Sequence, residues 1–107
     1  MSNIKIYNKL VRDYIPDIIE LNGGSCKIKV LSGDDYINAL DAKMLEELDE
    51  YRASRDIEEL ADMLEVLFAM AESQGYSWID IAGCHREKRK KRGSFDKGIF
   101  LETVKED

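Results

Sequence analysis

Residues 44–66 read MLEELDEYRASRDIEELADMLEV, and this stretch decides the fold. Its apolar residues recur at spacings of three and four residues, which is the period of an amphipathic α-helix. The pattern is interrupted around residues 52–56, so the stretch predicts two helices joined by a short turn. A turn of this length makes the two helices antiparallel.

Two acidic motifs flank this turn, ExxE at Glu47 and Glu50 and ExxD at Glu59 and Asp62. The members of each motif are three residues apart and therefore share a helix face. Residues at equal distances from the turn lie opposite each other in an antiparallel hairpin, which pairs Glu50 with Glu59 and Glu47 with Asp62. We therefore expect the four carboxylates to converge on one patch.

Such a patch is electrostatically unfavourable without a cation, because like charges three or four residues apart destabilise a helix. Carboxylate oxygens from facing helices are the ligands that Mg²⁺ or Mn²⁺ prefers. No histidine lies within the motifs, which disfavours zinc or di-iron. The spacing alone fits a second interpretation equally well, a solvated acidic face that the helix macrodipole favours in part.

Start and stop signals along the rest of the chain predict a mainly helical protein with a minor β element. A cap signal of the S-x-x-D type begins at Ser32, and Ser77 with Asp80 forms another. The predicted helices cover about residues 14–21, 33–51, 55–74 and 78–92. Apolar and polar residues alternate weakly over residues 26–31, which predicts a strand, and residues 99–104 are a candidate for a short strand that pairs with it.

Composition limits the class of protein. A chain of 107 residues forms one domain, residues 1–107. No apolar run approaches the roughly 20 residues that span a bilayer, and the first residues lack the apolar region of a secretory signal. A net charge of −6 argues against nucleic acid as a partner, because phosphate-backbone binding needs a cationic surface. We therefore expect a cytoplasmic protein that enters no membrane.

The helix predicted for residues 55–74 is almost continuously apolar from residue 60 to residue 71. A helix of this kind is buried on most sides, which a monomer of 107 residues achieves poorly. The pattern therefore predicts a homo-oligomer.

Charge is distributed unevenly along the chain. Residues 46–65 carry a net charge of −7, whereas residues 86–92 carry +5. The acidic stretch is suited to cations and the basic stretch to anions. The basic stretch has an alternative interpretation, a solvated helix C-terminus whose cations complement the macrodipole.

The acidic motifs and their surroundings resemble the MazG-like nucleotide pyrophosphohydrolases, in the branch described as phosphoribosyl-ATP pyrophosphohydrolase-like. The matching segments extend over nearly the whole chain. They are YNKLVRD at residues 7–13 followed by Ile15-Pro16, KMLEE at residues 43–47, EELADMLEV at residues 58–66, and Lys88 with RGSF at residues 92–95.

The resemblance implies an all-α, MazG-like antiparallel helix bundle completed by oligomerisation, as a homodimer or homotetramer. It also implies hydrolysis of a nucleoside triphosphate, including non-canonical ones, to the monophosphate and pyrophosphate, with Mg²⁺ as cofactor and Mn²⁺ as a substitute. By position, the implied metal ligands are Glu47, Glu50, Glu59 and Asp62. Glu46 and Glu47 are the implied catalytic residues, with Glu46 acting as an additional ligand or as a base for water.

Four cations are candidates for binding the triphosphate of this nucleotide substrate. Lys88 and Arg92 lie four residues apart on the last predicted helix, and Lys9 and Arg12 lie in the N-terminal motif. Two other functions fit the same residues. One is a non-catalytic acidic helical oligomer that binds a nucleotide or a protein partner, and the other is phosphoribosyl-ATP hydrolysis in histidine biosynthesis.

Overall fold

The computed structural model describes residues 3–106, and the regular structure within this range is helical. The predicted all-α class is therefore confirmed. The irregular segments lie before α1, between α1 and α2, and after α4. The helices are α1 (Ile15–Leu21), α2 (Gly33–Ser54), α3 (Ile57–Ser73) and α4 (Trp78–Arg92).

The predicted strand pair is wrong, because residues 26–31 and 99–104 are irregular and residues 3–106 contain no strand. Both segments have strand-like sequences, but an isolated pair of strands is marginally stable in water unless another layer covers it. Here no layer does so, since Val30 and Phe100 are 92% and 87% exposed.

α2 and α3 form the hairpin that residues 44–66 predict, with the turn at Arg55 and Asp56. Arg55 ends α2 in the left-handed conformation (φ 60°, ψ 21°), which is uncommon outside glycine. Its N–H donates to the carbonyl oxygen of Tyr51 at 2.7 Å, and its guanidinium lies 5.0 Å from the centre of the Tyr51 ring. These contacts within the last turn of α2 stabilise the turn at which the chain reverses direction into α3.

The other helix ends follow their sequence signals, with one difference. At the start of α4, the Ser77 hydroxyl accepts the N–H of Asp80 at 3.2 Å, and the Asp80 carboxylate accepts the N–H of Ser77 at 2.8 Å. This reciprocal pair is the predicted capping box. Ser32 caps α2 in an extended conformation, but its side chain makes no capping hydrogen bond.

The hairpin is the main packing unit, and much of the chain lies outside it. α4 contacts only α3 among the described helices, and α1 contacts none of them. The radius of gyration is 18.8 Å, whereas a compact chain of this length has about 13 Å. The buried apolar side chains are those of Leu40, Val66 and Ala71. A single chain therefore leaves most of its apolar surface uncovered.

Within residues 3–106, no helix is both long and apolar enough to cross a bilayer.

The capping box at Ser77 provides a test of how α4 is stabilised. We expect Ser77→Ala to lower the free energy of opening of the α4 amides by about 1 kcal/mol, because an N-cap hydrogen bond is lost. Amide hydrogen exchange measures this change. Ser32→Ala is the matched control and should affect α2 less, since its hydroxyl makes no cap bond. Equal losses at the two helices would contradict this account.

Candidate functional site

The turn between α2 and α3 brings four carboxylates together, as the hairpin register predicts. One carboxylate oxygen from each residue lies within 4.8 Å of those of the other three. α2 supplies two of the residues and α3 supplies the other two. This group, called the acidic cluster below, consists of Glu47, Glu50, Glu59 and Asp62.

Glu47 is the buried member of the acidic cluster, with only 4% of the residue exposed. Its Oε1 lies 3.1 Å from the Nζ of Lys43, one helical turn earlier on α2. Its Oε2 is buried and has no hydrogen-bond partner among the described residues. Burial raises the pKa of Glu47, and the neighbouring Glu50 carboxyl raises it further. Together these effects outweigh the hydrogen bond and the charge of Lys43, which lower it. A buried carboxylate oxygen without a partner is unfavourable, which suggests that a ligand completes its surroundings.

The other three residues of the acidic cluster are more exposed than Glu47. Glu59 and Asp62 are half-buried, and Glu50 is exposed. The site therefore has a buried carboxylate at its base and an open side that a small solute can reach.

Cations from two parts of the chain surround these acids. Arg12 donates from Nη2 to the Oδ1 of Asp62 at 2.7 Å, and Lys9 donates from Nζ to the Oε1 of Glu46 at 2.9 Å. Lys43 lies 3.4 Å from the same Glu46 oxygen. Sequence reasoning missed the role of Lys43, although its spacing of four residues from Glu47 is the signal of a helical ion pair.

These contacts favour the charged forms of Lys9, Arg12 and Glu46. The hydrogen bond to Glu46 raises the pKa of Lys9, and the hydrogen bond to Asp62 raises the pKa of Arg12. Burial opposes ionisation of Glu46, but the hydrogen bond from Lys9 and the charge of Lys43 lower its pKa overall. In this structure Lys9 and Arg12, the predicted phosphate contacts, hold carboxylates, and Glu46 lies beside the acidic cluster.

Lys88 and Arg92 lie on α4, away from this network of ion pairs. Neither side chain makes an ion pair or a side-chain hydrogen bond with another described residue. Arg92 instead lines an open surface cavity of about 490 Å³ with residues 93–95 and 97–99. The single chain therefore does not connect these two candidates to the acidic cluster.

The acidic cluster fits a hard divalent cation in its chemistry and spacing. All four donors are carboxylate oxygens, and the chain's one histidine, His85, is not among them. Ligands on opposite sides of Mg²⁺ lie about 4.2 Å apart, so the widest separation in the group, at most 4.8 Å, is close to the span of one ion. Lys43 and Arg12 neutralise two of the four carboxylates, and a divalent ion matches the charge that remains.

Comparisons with known proteins leave the family of this chain open. A 46-residue segment is 50% identical to an uncharacterized protein of Mycolicibacterium smegmatis (strain ATCC 700084 / mc(2)155). The match covers 43% of this chain and 47% of that protein, so it spans about half the length of the relative. No family model matches the chain, and no solved structure matches it.

The lowered pKa of Glu46 leads to a prediction about stability and pH. Because the folded-state pKa lies below the unfolded one, the stabilisation is present above the ordinary value of 4.5 and is lost as pH falls through the folded-state pKa. We expect Glu46→Gln to lower the free energy of unfolding at pH 7 by up to about 1 kcal/mol. The deficit should vanish at an acid pH below the folded-state pKa, as measured by urea unfolding at pH 7 and at that acid pH.

Glu72→Gln is the matched control, since Glu72 is exposed on α3 and makes no ion pair with the described residues. It should leave stability almost unchanged at both pH values. A Glu46→Gln deficit that is independent of pH would contradict the assigned ion pairs.

Proposed function

We propose that this protein is a MazG-like nucleotide pyrophosphohydrolase that uses Mg²⁺, or Mn²⁺ in its place. The observation that carries the proposal is the acidic cluster, in which the buried Glu47 Oε2 has no partner among the described residues. The family resemblance of the surrounding motifs supplies the reaction. The expected substrate is a nucleoside triphosphate, and the products are the monophosphate and pyrophosphate.

In this reaction, water forms a new bond to phosphorus while the bridging bond between the α- and β-phosphates breaks. A bound divalent ion would supply charge neutralisation for the phosphate oxygens and would lower the pKa of the attacking water. The roles of this chain are to hold the ion with Glu47, Glu50, Glu59 and Asp62 and to orient the phosphates. Hydrolysis of this kind depends on positioning and electrostatic stabilisation.

Arg12 is suited to orienting a phosphate beside the acidic cluster. Its side chain is 55% exposed, and only Nη2 is engaged, by Asp62. A guanidinium carries five N–H donors, so several remain for phosphate oxygens while the Asp62 contact persists. Lys9, with 37% of its side chain exposed, is suited to a similar contact. The earlier assignment of Glu46 as ligand or base stays a prediction.

We also propose that the functional protein is a homodimer or homotetramer. The chain exposes 10216 Å², whereas a compact monomer of 12.3 kDa exposes about 6,100 Å². The excess is several times the roughly 800 Å² that each partner buries in a standard interface. Three leucines on one side of α3 belong to this surface, and they are Leu60, Leu64 and Leu67. Within an assembly, α4 of one chain and the acidic cluster of its partner are candidates to share a substrate.

A nucleotide panel with pyrophosphate readout tests the proposed reaction. We expect Mg²⁺-dependent release of pyrophosphate that stops with EDTA. Glu50→Gln should lower turnover by more than about 100-fold, because it removes a metal ligand. Glu72→Gln, an exposed acid outside the acidic cluster, should retain activity.

Other outcomes, in this assay, in a metal-binding measurement or in complementation, identify other functions. Release of single phosphate would contradict the proposed reaction. Metal binding without turnover on any nucleotide would identify a non-catalytic binding protein. Rescue of a histidine auxotroph would identify phosphoribosyl-ATP as the substrate.

Sedimentation analysis tests the proposed assembly. We expect the protein to sediment as a dimer or tetramer, and we expect Leu64→Glu to dissociate it, because a charge would be buried in an apolar interface. Leu64→Met is the matched control and should leave the assembly intact, since it conserves volume and polarity. A wild-type protein that stays monomeric at high concentration would contradict the proposal.

A further inference from the structure

We propose that Lys43 is the positioning residue of the metal site. It holds one oxygen of Glu47 and thereby presents the other, buried oxygen to a divalent ion. The inference rests on the proposed function, since it concerns the same site. It adds a residue for which the sequence analysis gave no role.

The contacts of Lys43 carry this inference. Its Nζ lies 3.1 Å from the Glu47 Oε1, and 16% of the Lys43 side chain and 6% of the Glu47 side chain are exposed. Lys43 and Glu47 are one turn apart on α2, so the helix itself sets the distance between them. With Oε1 engaged, Oε2 is the oxygen left without a partner among the described residues.

Glu46 also restrains Lys43. Its Oε1 lies 3.4 Å from the Lys43 Nζ and 2.9 Å from the Lys9 Nζ. Ion pairs therefore run in sequence from Lys9 through Glu46 and Lys43 to Glu47. This arrangement gives Glu46 a supporting role, because Lys43 is held between two carboxylates and has little freedom to leave Glu47.

A different role for Lys43 would change metal affinity in the opposite direction when Lys43 is replaced. If Lys43 only neutralised Glu47 until a metal ion displaced it, removing its charge would strengthen metal binding. If Lys43 orients Glu47, removing it weakens metal binding, because side chains that hydrogen-bond a metal ligand typically contribute about 10- to 100-fold to affinity. The sign of the change therefore distinguishes the two roles.

The experiment is a titration of the full chain with Mn²⁺ alone, with free Mn²⁺ measured by electron paramagnetic resonance. We expect Lys43→Met to weaken Mn²⁺ binding by about 10- to 100-fold and Lys43→Arg to restore most of it. Arg52→Gln is the matched control for lost charge, since Arg52 is exposed in the last turn of α2 and makes no ion pair with the described residues. It should shift the affinity by less than about threefold.

Mn²⁺ binding to Lys43→Met that equals or exceeds wild type would overturn the positioning role. If this variant fails to fold, as circular dichroism would show, Lys43→Gln replaces it, because a polar end is better tolerated beside a buried carboxylate. Absence of saturable Mn²⁺ binding by the wild-type chain would overturn the proposed function together with this inference. Wild-type binding with an unchanged Lys43 variant would overturn this inference alone.

Discussion

The close approach of α2 and α3 forces like charges together, and the rest of the site depends on this constraint. A two-residue turn fixes the register of the hairpin, so Glu47 and Glu50 meet Glu59 and Asp62 with oxygens within 4.8 Å. A solvated surface would separate such charges or mix their signs. Function commonly requires such locally unfavourable arrangements, which the surrounding structure tolerates. In the function proposed here, a divalent cation would remove the repulsion and supply a partner for the buried Glu47 oxygen.

Positively charged side chains of the protein neutralise only the two acidic-cluster residues that lie farther from the turn. Lys43 contacts Glu47 and Arg12 contacts Asp62, and these two acids face each other across the hairpin. Glu50 and Glu59, nearer the turn, make no ion pair with the described residues. The protein cations therefore lie beside one pair of carboxylates, and the pair nearer the turn is the one that the proposed metal ion would have to neutralise.

Sequence patterns correctly predicted the features that depend on interactions between residues close together in the chain. The helical period and the length of the turn gave the hairpin register, and the spacing of Ser77 and Asp80 gave a capping box. Contacts distant in sequence were not predictable in this way, since Lys9 bonds Glu46 across 37 residues and Arg12 bonds Asp62 across 50. The strand prediction was wrong for a related reason. Residues 26–31 and 99–104 have strand-like sequences, but strand formation depends on a covering layer, which the sequence of those segments does not encode.

Anomalous diffraction from crystals grown with Mn²⁺ tests the central claim most directly. The account predicts an anomalous peak among the carboxylate oxygens of Glu47, Glu50, Glu59 and Asp62, with the buried Oε2 of Glu47 among the ligands. The Lys43 ammonium should stay on the Oε1 of Glu47 in that crystal. A fully ordered hairpin with no peak at the acidic cluster, or with the four side chains turned apart into solvent, would contradict it.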